Sequence, residues 1–140
     1  MEFSATTTIS ADPATVWAIL TDAERFPTWE PNVTRVEGRI APGERITVHT
    51  TLSARAFPVT VSEFVPRERM VWSSAMPLGL FRGARTFTLE PLGGGTTRVT
   101  TREVFGGWLL PILGRTIPDL QPTFEQFAAA LKAEAERDAG

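Results

Sequence analysis

The sequence predicts an α+β fold of seven antiparallel strands, two short helices after the first strand, and one long C-terminal helix. Three observations carry that prediction. Between residues 33 and 106, apolar and polar residues alternate in short runs separated by Pro and Gly turns, the period-two signature of half-buried strands. Between residues 13 and 20, Val16, Trp17, Ile19 and Leu20 form a helical stripe behind Asp12-Pro13. From Leu113 through Ile117, Leu120, Phe124 and Phe127 to Leu131, apolar residues recur in steps of three and four, as one face of a helix requires.

Residues 2–10 alternate weakly and are rich in Thr and Ile, which suits a first strand. Asp12 then stands at an N-cap, with Pro13 in the first turn of a helix ending near Thr21. Asp22 opens a second short turn that Pro27 is expected to stop. After Trp29-Glu30-Pro31, residues 33–52 form a hairpin about Pro42-Gly43. The next hairpin runs through residues 57–65 and 70–76, with Phe57, Val59 and Val61 sharing one face and Met70, Trp72 and Met76 another. Residues 81–105 form the last, about Gly93-Gly94-Gly95. Pro111, Pro118 and Pro122 break the first half of the helical tail, leaving a regular helix over residues 123–137 whose end, 134–138, reads as a solvated last turn.

Composition narrows the function classes. A chain of 140 residues fits a single domain that buries roughly two thirds of its unfolded surface. With 42% hydrophobic and 21% charged residues it is an ordinary globular sequence, without a run long enough to insert across a bilayer. No basic stretch followed by an apolar one opens the chain, so a cytoplasmic location is expected. The absence of cysteine excludes disulfides, thiolate metal sites and cysteine nucleophiles. A net charge of −2 with arginines scattered singly argues against nucleic acid as a partner. One histidine and no cysteine argue against a metal, and no cofactor is expected. No oligomeric state follows from the sequence.

The last hairpin carries the most chemical information. If the three glycines form its loop, Leu92 faces Thr96, Leu89 faces Val99, Phe87 faces Thr101 and Arg85 faces Glu103. Arg85 then shares a face with Phe87 and Leu89, and Glu103 shares it with Val99 and Phe105. Charges taken out of water cost several kcal/mol each unless paired. The two residues are therefore either a structural ion pair or the polar contacts of a ligand, with Glu103 a candidate general base if burial raises its pKa.

Other candidates are weighed in the same way. His49 is the only side chain whose ordinary pKa lies near neutrality, but it is out of phase with Ile46, Val48, Thr50 and Leu52 and is expected to face solvent. Trp29, Trp72, Met76, Phe81, Phe105 and Trp108 can line a pocket or simply fill a core. Residues 78–81 and 108–113 stand beside glycines and would form the pocket's entrance, with Phe124 and Phe127 covering the helix side. The triple glycine lacks the strand-to-helix context and Lys-Ser/Thr of a phosphate loop and is a turn. Ser73-Ser74 lacks the setting of a hydrolase nucleophile.

Several motifs occur in a telling order: Asp12-Pro13 after the first strand, Trp29 with Pro31, Phe87-x-Leu89-x-Pro91, Gly94-Gly95-Thr96-Thr97-Arg98-Val99, and Glu103-x-Phe105-Gly106 leading into the helix. In this the chain resembles the helix-grip superfamily, and more narrowly the bacterial START-related branch grouped with polyketide cyclases and dehydratases. The resemblance spans nearly the whole chain. It implies a curved sheet wrapped around the C-terminal helix, and between them a cavity that in this superfamily holds lipids, hormones, polyketides or other small apolar molecules. The function it implies is binding or carriage of a small hydrophobic molecule, with Arg85 and Glu103 as polar contacts and Trp29, Trp72, Met76, Phe81, Phe87, Phe105, Trp108, Phe124 and Phe127 as walls. The alternative is a cyclase- or dehydratase-like enzyme in which Glu103 or His49 moves protons.

Overall fold

A computed structural model describes residues 1–139. In strand β1 (Glu2–Ile9) exposed side chains alternate with more buried ones until Ile9 turns fully inward. Helix α1 (Pro13–Leu20) follows, and its apolar stripe of Val16, Trp17, Ile19 and Leu20 is buried. Asp12 precedes it in an extended conformation, but its side chain makes no capping bond; the carbonyl of Asp12 accepts from the Val16 N–H instead. At the next turn the Asp22 carboxylate accepts from the Arg25 N–H at 3.2 Å and leads into α2 (Phe26–Trp29). Pro27 lies in the first turn of α2, where a missing N–H costs nothing, so it starts this helix rather than stopping it.

The remaining strands are β2 (Val33–Glu37), β3 (Arg45–Thr50), β4 (Phe57–Val65), β5 (Arg69–Ala75), β6 (Arg82–Gly93) and β7 (Thr96–Gly106). They form one seven-stranded antiparallel sheet in the order β1-β7-β6-β5-β4-β3-β2. In the β6–β7 hairpin, Leu89 faces Val99, Phe87 faces Thr101 and Arg85 faces Glu103, as the alternation predicts. Its tip differs. Gly93, not Leu92, pairs with Thr96, so Leu92 is bulged out and the turn tightens to Gly94-Gly95. Both glycines have positive φ, which lets a two-residue turn close the hairpin.

After β7 the helical tail is interrupted as expected, but of the three prolines only Pro118 lies between helices; Pro111 and Pro122 each stand in the first turn of one and start it. A short helix α3 (Leu110–Leu113) and a single 3₁₀ turn precede α4 (Gln121–Ala139), which carries Pro122 in its first turn. Phe124, Phe127, Ala128, Leu131 and Ala135 form the buried face of α4, which lies against β1 and α1. Among the described residues no helix is long and apolar enough to cross a membrane.

Polar ties lock α4 in place. Lys132 Nζ donates to the Thr8 carbonyl at 2.7 Å, and the Ser10 N–H donates to Glu136 at 2.9 Å. Arg25 reaches both Glu134 and Asp138 at 2.8 Å, and Arg137 also pairs with Glu134. Glu134 is thus buried, and the last turns of α4 are a docking point rather than the solvated end the sequence suggests. The partner that makes the difference, Arg25, lies more than a hundred residues away.

One glycine is required by close approach. At Gly107 φ is +108°, and a Cβ would lie 2.7 Å from both the Leu80 carbonyl oxygen and the Phe81 Cα. Leu109 donates to that same carbonyl at 2.9 Å, so the segment after β7 is pressed onto the β5–β6 loop, backbone to backbone. Gly107→Ala is expected to destabilise the fold by roughly 3 kcal/mol, read as a lower urea midpoint, because neither backbone can yield cheaply.

Arg25 holds the carboxyl groups of Glu134 and Asp138 below their ordinary values, chiefly through its hydrogen bonds. Lowered pKa values give stability that is present above the ordinary carboxylate range and lost as pH falls through the folded values. Arg25→Met should therefore lower stability at neutral pH, and chemical denaturation across a pH series should show the gap to the native protein closing in acid.

Candidate functional site

Arg85 is placed by the register of β6 on the concave face of the sheet, where its guanidinium carbon lies 4.3 Å from the ring centre of Phe124, 4.6 Å from that of Phe127 and 5.0 Å from that of Phe87. Two of these rings come from α4, so helix and sheet clasp the cation between them. Nε donates to Thr101 Oγ1 at 2.8 Å. Nη2 is shut off from water and has no hydrogen-bond partner, although Arg85 as a whole keeps partial solvent contact. Arg85 and Glu103 face each other across the ladder, yet among the described residues Arg85 makes no ion pair. Thr101, not Glu103, takes the hydrogen bond that a structural ion pair would have required.

Two carboxyl groups accompany this cation. Glu103 lies over Gly83, where a Cβ would come within 3.3 Å of Oε2 and 3.1 Å of the Phe105 ring; the missing side chain makes room for both. Burial raises the Glu103 pKa, with Arg85 opposing the rise. Glu30 is only 4% exposed, between the buried Trp29 and the start of β2, and its Oε1 accepts from the Asn32 N–H at 3.0 Å. Its pKa is also raised by burial, against the Asn32 bond and the more distant charge of Arg85. On Arg85 itself burial works against the charge and the two glutamates support it. Sequence reasoning passed over Glu30, because a turn has no periodicity from which burial can be read. The only local signal was its position between a tryptophan and a proline.

Beside Arg85 five aromatic rings form a closed cycle. Phe26 meets Trp29 at 4.7 Å, Trp29 meets Phe127 at 5.6 Å, Phe127 meets Phe87 at 5.7 Å, Phe87 meets Trp72 at 4.9 Å, and Trp72 returns to Phe26 at 5.6 Å. These rings occupy the space between sheet and helix. Nε1 of both Trp29 and Trp72 is buried without a partner. Three donor groups around the same rings thus lack acceptors, an uncommon state for buried polar atoms. The arrangement suits an oxygen acceptor, and the two carboxyl groups of raised pKa are suited to holding a proton. Among the described residues no His, Asp and Glu side chains are grouped so as to hold a metal.

The remaining sequence candidates divide by place. Phe81 stacks on Phe105 at 5.7 Å, and Phe105 meets Phe3 edge-on at 6.2 Å, a half-buried group on the Glu103 side. Trp108 and Met76 stand largely outside the core, 66% and 44% exposed. His49 points outward and bonds Glu37 at 3.1 Å. Its strand β3 is separated from β6 by β4 and β5, or about 14 Å along the sheet, so it is not brought to Arg85 or Glu103. Two surface clefts, of about 430 Å³ and 440 Å³, lie between β1 and α4 and between α2 and β2; neither is lined by Arg85 or Glu103.

Comparison with known proteins agrees with this architecture. The structure is similar to a START superfamily protein from Mycobacterium smegmatis, with a TM-score of 0.76 at 19% identity over 97% of each chain. It is similar to the Zhui aromatase/cyclase from Streptomyces sp. R1128, with a TM-score of 0.76 at 14% identity over 100% of this chain and 96% of that one. It is also similar to the hypothetical protein jhp0584 from Helicobacter pylori, with a TM-score of 0.78 at 17% identity over 96% and 88%. At such identities these likenesses speak for the fold alone. No curated protein sequence matches significantly. The family model described as polyketide cyclase / dehydrase and lipid transport matches residues 1–136, and the chain, which has the helix-grip fold, belongs to that family.

Proposed function

We propose that this protein is a cytoplasmic binder or carrier of a small hydrophobic molecule bearing one acidic or carbonyl oxygen, with that oxygen on Arg85 and the apolar body against the aromatic rings. The observation that carries the reading is the unpartnered Nη2 of Arg85. A buried donor without an acceptor costs about 1–3 kcal/mol, more when charged, and a ligand oxygen removes that cost. Arg85 and Glu103 both keep solvent contact, which offers a route inward. Phe124, whose ring lies closest to the guanidinium, must swing aside to admit a ligand. Family membership supports the same reading, since the family description joins cyclases and dehydrases with lipid transport.

A second reading, a cyclase- or dehydratase-like enzyme, is favoured by the two carboxyl groups of raised pKa near one cation. There Glu103 moves the proton and Arg85 steadies an enolate oxygen. Glu103→Gln separates the two readings, since it abolishes turnover in the second and leaves binding largely intact in the first.

Native mass spectrometry of the purified protein, followed by denaturing extraction, should release a small apolar acid or carbonyl compound. Tryptophan quenching by 1-naphthoate should show binding that weakens roughly ten- to hundredfold in Arg85→Met, while naphthalene binds the variant as well as it binds the native protein. Equal naphthoate affinity in the two would remove Arg85 as the anchor.

The charge of Arg85 also sets the titration of its neighbours. With the cation gone, Glu103 and Glu30 lose the attraction that opposes their burial, so Arg85→Met should move both side-chain titrations further up, as followed by carbon-13 NMR of the carboxyl groups. An acid with a raised folded pKa keeps its proton longer when folded than when unfolded. Its contribution to stability therefore falls as pH rises from the ordinary value of 4.5 through the folded value, the reverse of Glu134.

A further inference from the structure

The β5–β6 loop and the segment after β7 meet to form an apolar face outside the aromatic core. Leu78 is 90% exposed, Ile112 67% and Trp108 66%. The two segments are laced together: Trp108 donates its backbone N–H to the Gly79 carbonyl at 3.4 Å and its indole N–H to the Leu78 carbonyl at 3.3 Å. Because the indole N–H is already bonded within the protein, the ring can leave water without orphaning a donor. Leu78 has φ +62°, a left-handed conformation that a branched apolar side chain adopts at a cost, and it is held there pointing into solvent.

Charge completes the pattern. From Arg69 to Leu89 and from Val104 to Pro118 there is no acidic residue, while Arg82 and Arg115 are both exposed. In a chain of net charge −2 these two segments are cationic and apolar. Two copies meeting here about a two-fold axis would bring arginines to arginines with no carboxylate in either segment to pair them. An anionic lipid surface supplies the opposite charge, and it accepts exposed Trp, Leu and Ile at its polar–apolar boundary.

We propose that this face, centred on Leu78 and Trp108 and flanked within the same two segments by Arg82, Ile112 and Arg115, docks the protein peripherally on an anionic bilayer. The inference is independent of what Arg85 binds. Cosedimentation is the test, using vesicles of phosphatidylcholine alone and vesicles containing phosphatidylglycerol. Binding to the anionic vesicles that weakens with added salt is expected. Leu78→Gly combined with Ile112→Ser should reduce it about tenfold, and Gln at each arginine roughly fivefold. Glycine suits the backbone at position 78, so that variant keeps its fold, which thermal unfolding verifies. The proposal is overturned if the protein stays in the supernatant with anionic vesicles, binds neutral vesicles equally, or is unaffected by the substitutions. It is also overturned if size-exclusion chromatography with light scattering shows a dimer that the Leu78→Gly variant loses.

Discussion

The interior is organised around a cation that has left much of its water without gaining a carboxylate against it. Removing a guanidinium from solvent costs several kcal/mol, and what stands against that cost here is the Thr101 hydroxyl, three phenylalanine faces and two glutamates acting at a distance. Each ring contact contributes about 0.5–2 kcal/mol depending on how dry the site is. The compensation is spread over many partners and leaves Nη2 out. Two of the three rings lie three residues apart on α4, so the long helix can dock in only one rotational setting if it is to cover the cation. Helix placement and the charge of the site are thus one constraint.

How much of this could be read in advance depends on the distance over which each feature is determined. The facing of Arg85 and Glu103 was legible because a short loop and strict alternation fix the pairing of a hairpin, and a one-residue bulge at Leu92 lies beyond the ladder it would otherwise disturb. The outward direction of His49 was legible for the same reason. Which atom Arg85 actually bonds was not, because Thr101 and Glu103 lie two residues apart on the same face of β7 and alternation does not choose between them. Glu30, Glu134 and the closed aromatic cycle were hidden for a related reason. Each is defined by partners from distant segments, and no local pattern distinguishes a buried glutamate from an exposed one.

The two ends of the sheet differ in how they are filled. Toward β2–β5 the aromatic cycle and the apolar residues of α1 and α2 make a dry interior. Toward the Glu103 side, the rings of Phe3, Phe81 and Phe105 are only half-buried, and the backbone clasp at Gly107 joins two loops instead of two regular elements. Packing holds one end in shape, while a handful of main-chain hydrogen bonds holds the other. Changes of ligand preference within such a scaffold are most easily made at the second end, where side chains can vary without disturbing a closed core.

The position of β1 has a consequence for how the molecule is made. This strand precedes the other six, yet its neighbour in the sheet is the last of them, and it and the adjoining Ser10 reach Gln121, Lys132 and Glu136 at separations of 117 to 126 residues. β1 therefore stays unpaired until the other six strands have been made, and contacts of such long range make for slow closure. The strand is suited to waiting. Its outward positions include Ser4, Thr6 and Thr8, so an unpaired edge shows hydroxyl groups to its surroundings. The helix that covers the cation is also the segment that sews the first strand shut.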